Sequence, residues 1–291
     1  MKCPADRPCQ VIANTDQEVI DWIECFRKGQ VGTGNPKYIF RGQTTCNTDH
    51  ILRCTIQRPS GNRARNKERE IFKEIQDYIG TSKVANTFGP EEAGKWLARM
   101  QHNGIPTRLL DWTSNPHVAL YFALADQDGR LKFSTDGVVA VVNVQRLFEK
   151  VTDYRGKQPR FFKTFLPNTP YENGISPPFL YLSTDWYFEL LNWKERPLVL
   201  PVKPGTANYR EHVQSGYYTV SAGDLSVSQE ELLRELLPNP SDFQKIHIPP
   251  GIKPRLFTRL AETDPEINAK FLFEPFEEAR RFLISKRLLE R

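Results

Sequence analysis

Three clusters of residues in this chain have types and spacings that could do chemistry. In the first, Tyr38, Ile39 and Phe40 form an apolar run suited to a buried strand, and Arg41, Gly42 and Gln43 follow at once. An arginine at the mouth of a core strand offers a planar, permanently charged fork matched to phosphate or carboxylate. Gly42 allows backbone to approach whatever that fork holds more closely than a side chain would permit. Taken alone, Phe-Arg-Gly also describes a plain surface arginine after a strand.

The second cluster is QHNGIPTRLLDWTSNPHVALYFALA, starting at Gln101. Within twelve residues it gathers Gln101, His102, Gly104, Pro106, Thr107, Arg108, Asp111 and Trp112. Polar groups this dense beside apolar ones are expensive to bury unless they bond one another or a ligand. Arg108 and Asp111 are spaced to pair across a turn, and His102 is a candidate base or hydrogen-bond donor. The alternative is a self-satisfied polar corner that fixes the turn at Thr113, Ser114 and Asn115.

The third cluster is QSGYYTVS. Gln214 and Gly216 precede Tyr217 and Tyr218, which a strand sends to opposite faces, as core or as ligand stackers. No metal is expected. Cys46, His50 and Cys54 would share a helical face, but the two paired ligand clusters of a zinc site are missing. The five cysteines all lie in the first 54 residues, and their odd number argues for free thiols.

These clusters need elements to position them. Thr15 and Asp16 cap a helical pattern through residue 28, and Tyr38 opens a strand. Amphipathic helices are expected over 66–80 and 90–101, a short strand at Leu109 and Leu110, and a helix from Pro116. DGVVAVVNV reads as a strand buried on both faces, and RPLVLPV and GYYTVS as further strands. Residues 150–180 read as a basic, proline-rich loop, and PFEEARRFLISKRLLER as a terminal helix. Strands and helices do not alternate regularly, which predicts an α+β fold. A single domain is expected over 1–291, with a helical extension at 1–34 and a core at 35–291.

The 291 residues, 39% hydrophobic and 26% charged, with net charge +5, suit a globular protein. No stretch approaches the roughly 20 apolar residues of a membrane span, and the N-terminus has no apolar signal region. No membrane partner is expected, and the location expected is cytoplasmic. Seven Lys/Arg against three Glu between Arg53 and Glu74, and four cations with three aromatics in YRGKQPRFFK, fit a solvated basic surface or a nucleic-acid partner.

FRGQ, then QHNGIPTRLLDWTSNPHVALYFA, then QSGYY, resembles the FRG domain, from about Tyr38 to the C-terminus and most closely in the first two motifs. The motif order is similar to that of ADP-ribosyltransferases of the arginine–serine–glutamate type. That resemblance implies a split, mostly antiparallel sheet with flanking helices and NAD as substrate. It implies that Arg41, with Gly42 and Gln43, holds the phosphates or nicotinamide ribose. Thr107, Arg108, Thr113 and Ser114 belong to the second motif, and Gln214, Gly216 and Tyr217 to the third. Breaking the nicotinamide–ribose bond develops positive charge on the sugar, so an anion must stand nearby. The family's glutamate has no clear counterpart, because Gln214 can orient but cannot take a proton. Asp111 is the preferred carboxylate, Glu211 and Glu274 are the others, and His102 is a further acid–base candidate. The acceptor would be a protein or nucleic acid, in a toxin or defence setting. A non-catalytic nucleotide or nucleic-acid sensing module and an NAD glycohydrolase remain the alternatives.

Overall fold

Gly137–Asn143, the valine-rich strand β4, is buried along its whole length because it lies inside a seven-stranded sheet with packed layers on both faces. The computed structural model describes residues 10–30, 36–45, 52–80, 92–126, 130–153, 179–180, 182–202, 214–268 and 272. The other strands are β1 (Gln10–Ile12), β2 (Tyr38–Gln43), β3 (Leu109–Thr113), β5 (Leu198–Val202), β6 (Gly216–Ala222) and β7 (Phe243–Ile248). Their order across the sheet is β1-β7-β4-β2-β3-β6-β5. All neighbours are antiparallel except β1 and β7. The fold is α+β, as the irregular order of elements in the sequence predicts.

The pairing is not uniform. β2 runs beside β4 over six registered pairs, Tyr38 with Asn143 through Gln43 with Val138. β3 and β6 share five. Between β2 and β3 the only registered pair is Phe40 with Thr113. After Phe40 the two central strands part, and the sheet opens beside Arg41, which stays paired with Ala140 of β4.

Eight α-helices are present among the described residues: α1 (Asp16–Lys28), α2 (Glu68–Gly80), α3 (Ala93–His102), α4 (Pro116–Leu124), α5 (Val144–Asp153), α6 (Thr184–Asn192), α7 (Gln229–Leu236) and α8 (Lys253–Thr263). The Thr15 side chain accepts from the Glu18 N–H and caps α1, and Asn115 does the same for α4 through the His117 N–H. Strand alternation divides the core. Phe40, Val139 and Val141 pack with Trp22, Phe26 and Leu120. Ile39, Val138 and Val142 pack with Trp96, Leu147 and Trp186 on the other side. Each such side chain contributes about 1.5–3 kcal/mol on burial, and together they hold the strands that frame the opening.

Two expectations are corrected. Cys25, read as a free thiol, is disulfide-bonded, while Cys54 is free and buried. Residue 150 and its neighbours do not begin a loop but complete α5, whose apolar Leu147, Phe148 and Val151 face the core. The rest of that loop from residue 154 to 178, Cys46, His50 and the expected terminal helix lie outside the described residues. Among the described residues no helix is long and apolar enough to cross a membrane, and no group of His, Cys, Asp and Glu could hold a metal.

Candidate functional site

The parting of β2 and β3 opens a cleft of about 670 Å³, within the roughly 300–1,000 Å³ usual for small-molecule sites. Arg41, Thr113 and Gln214 all line it, although each comes from a different motif of the sequence. Gln43, His102, Asp111, Gly216 and Tyr217 line it too.

Arg41 is not the exposed strand-end cation that its position suggests. Its side chain is only 14% exposed. Nη1 donates to the main-chain oxygen of Asp111 at 2.7 Å and lies 3.6 Å from the Asp111 carboxylate. The guanidinium therefore occupies the gap where strand pairing has stopped. Removal from water pulls Arg41 down to about 10, with Asp111 opposing and Arg58 reinforcing that shift. It remains a cation at neutral pH, and its Nε is buried without a partner among the described residues.

Gly42 lines the cleft as well, but the space its missing side chain leaves is taken by α4. A Cβ there would stand 1.7 Å from the Ala119 oxygen and 2.8 Å from the Ala123 nitrogen. The glycine lets α4 lie directly on β2, which fixes the wall that Phe122 adds to the cleft.

Asp111 is more than half exposed and is held by a chain of hydrogen bonds. The Gln101 amide donates to Oδ1 at 2.6 Å, and Gln101 Oε1 accepts from the Thr107 hydroxyl at 2.7 Å. The Thr107 N–H in turn donates to Thr55 Oγ1 at 2.8 Å. Thr107 is thus buried behind the cleft and steadies Gln101 instead of meeting a ligand. The expected Arg108–Asp111 pair does not form. Arg108 makes a bidentate bond to Glu68, at 2.6 and 2.5 Å, and donates to the Ser221 oxygen at 3.0 Å. Burial works against this charge, but Glu68 outweighs it and raises Arg108 above its ordinary value. Arg108 is a core ion pair, and neither it, Thr107 nor Ser114 lines the cleft.

At the third motif, Ser215 adopts a left-handed conformation (φ 48°), a strained choice for a residue with a side chain. That turn lets the Gln214 oxygen accept from Thr113 Oγ1 at 2.6 Å and the Ser215 oxygen accept from the Ser114 N–H at 3.0 Å. The Gln214 amide donates to the Leu272 oxygen at 2.9 Å. Tyr217 stacks on Phe179 with ring centres 4.5 Å apart, and burial pushes its hydroxyl up. Glu211 and Glu274 lie outside the described residues, and Asp111 is the candidate carboxylate that the structure places in the cleft. Cys54, close behind, is pushed up to about 12 by burial, so it stays a thiol.

Sequence reading missed Arg58, which also lines the cleft. Burial, opposed by Asp111, lowers it below its ordinary value. It stands in a run of cations, and spacing alone does not distinguish it from its neighbours in that run.

The family model of the FRG domain matches residues 36–130. That stretch, about a third of the 291 residues, is similar to the FRG domain. The matched stretch supplies Arg41, Arg58 and Asp111, while Gln214 and Tyr217 come from beyond it. No curated protein and no solved structure matches the chain significantly.

Proposed function

We propose that this protein transfers ADP-ribose from NAD to a macromolecular acceptor, with the cleft between β2 and β3 as its active site. The observation that carries the reading is the convergence of Arg41, Thr113 and Gln214 on one cleft at the parting of the central strands, in the order that an ADP-ribosyltransferase-like sheet would place them. Arg41 is suited to grip a phosphate by charge-assisted hydrogen bonds. Asp111, aimed by Gln101, supplies the negative charge opposite the electron-poor ribose carbon. The glycosidic carbon–nitrogen bond breaks and nicotinamide leaves with the bonding pair. The acceptor's lone pair forms the new bond to that carbon, and the acceptor's proton passes to the Asp111 carboxylate. Thr113 and Gln214, whose polar groups are engaged with backbone, act by holding the cleft wall.

That engagement of Thr113 and Gln214 also favours a second reading, in which the cleft binds a nucleotide without reacting. The test is nicotinamide release from NAD in the presence of protein, DNA and RNA acceptors. The transferase reading requires release that an acceptor accelerates. It also requires Asp111→Asn to reduce the rate by about 10²–10³-fold or more, the effect of removing one electrostatic stabiliser, while NAD binding persists. Saturable binding with no release in any mixture would leave the binding module.

A further inference from the structure

We propose that Arg58 is the second arm of an anion clamp whose first arm is Arg41, and that the two together are built for the linked phosphates of a nucleoside diphosphate. The inference rests on the nucleotide reading of the cleft but requires no transfer chemistry.

The two arginines reach the cleft from separate elements, Arg41 from β2 and Arg58 from the junction of two short 3₁₀ turns, Thr55–Gln57 and Pro59–Gly61. They are near enough for the Arg58 charge to weigh on Arg41, and Asp111 acts on both. Holding two like charges partly out of water is unfavourable without an anion between them. Asp126, the other carboxylate at the cleft among the described residues, is already 3.3 Å from Lys132 and accepts from the Arg130 N–H. One carboxylate, Asp111, therefore faces two guanidinium groups, and its exposure shows that neither arginine encloses it.

The second arm is rigidly presented. The Ile56 N–H donates to the Thr107 oxygen at 3.2 Å, and the Thr55 hydroxyl donates to the same oxygen at 3.1 Å. The buried Gln57 amide donates to the Leu225 and Val227 oxygens. Arg58 Nε donates to the Arg53 oxygen at 3.2 Å, and its two terminal nitrogens have no hydrogen-bond partner among the described residues. A single carboxylate or monophosphate is satisfied by one guanidinium fork. Two forks fixed on different elements suit an anion with two charged centres side by side, and such pre-organisation is what converts contacts into affinity.

The test is calorimetric titration of the full chain with ADP and with AMP. The wild-type protein should prefer ADP. Arg58→Ala should weaken ADP by about ten- to a hundredfold, the range for a lost charge-assisted bond, and remove the preference over AMP. Arg58→Lys, which keeps the charge and loses the fork, should fall between them. The unliganded melting temperature of Arg58→Ala should hold or rise as repulsion is relieved, and Arg58→Gln gives the same reading if the alanine variant does not fold. Unchanged ADP affinity, equal losses for ADP and AMP, or no ADP binding by the wild type would each overturn the clamp. The two readings fail separately. Clamp-dependent ADP binding without nicotinamide release from NAD removes only the transferase, and nicotinamide release undiminished by Arg58→Ala removes only the clamp.

Discussion

The guanidinium of Arg41 donates to the main-chain oxygen of Asp111, across the place where β2 and β3 cease to pair. One side chain thus stands in for a missing rung of the sheet and keeps a partly desolvated cation in the cleft. Those two roles pull stability and binding in opposite directions.

Arg41→Met should separate them. Desolvation is the largest influence on Arg41 and it disfavours the charge, so an apolar chain of similar length loses one hydrogen bond but relieves that penalty. The unliganded protein should melt at or above the wild-type temperature, while the heat of ADP binding disappears. A marked fall in melting temperature would make the arginine chiefly structural.

Arg108 and Glu68 should behave as a coupled unit. Leaving one member of a buried pair unpartnered costs about 3–5 kcal/mol, so Arg108→Met and Glu68→Leu should each be severe in urea denaturation. The double variant should be milder than the sum of the singles. The corresponding cycle between Arg108 and Asp111 should be additive, because those two side chains do not meet.

Gly42→Ala should destabilise the protein by at least the ~1–3 kcal/mol typical of overpacking, because the obstacle is helix backbone. Gly104→Ala is the contrast. Nothing lies within 4 Å of its Cβ, and only its φ of 78° opposes the change, at about 1–3 kcal/mol. Melting temperatures should show the greater loss at Gly42, and ligand binding should fail there as α4 shifts.

Stability should decline in mild acid in a manner traceable to His247 on β7. Burial first, and Lys245 second, hold its imidazole below the ordinary value of 6.5. The unfolded chain therefore takes up a proton near 6.5 while the folded chain still resists it. Stability contributed by the neutral ring is present above that value and is lost as pH falls toward the lower folded value. Melting curves from about pH 7.5 to about pH 5.5, the range in which histidine titrates, should show a smaller decline in His247→Gln.

Much of this arrangement was legible in the sequence. The helical period of 16–28, 68–80 and 93–102 and the valine run of β4 declare their elements, because each buries a regular face. The strand β7, FQKIHI, was missed. It carries Gln244 and Lys245 into the core, where Gln244 accepts from Trp22 and Lys245 meets Glu230, partners 222 and 15 residues away. The same limit misassigned Arg108. Asp111 is its neighbour in the chain, but Glu68, 40 residues earlier, is its neighbour in space. A glycine declares only that space is needed, so the sequence does not show that Gly42, besides lining the cleft, makes room for the backbone of α4. Arg58 is not legible because nothing local marks which cation of a basic run lines the cleft.

The single rung between Phe40 and Thr113 also bears on where this protein can be cut. The sheet consists of two leaves, β1-β7-β4-β2 and β3-β6-β5, and each is assembled from distant parts of the chain. Residues 36–130 bring only β2 and β3, one from each leaf, joined at that rung. The ladders that keep those two strands in place run to β4 and β6, both downstream. A recombinant fragment trimmed to the FRG motifs would therefore contain most of the cleft's chemistry and almost none of its masonry, and the smallest autonomous unit must extend at least through β7.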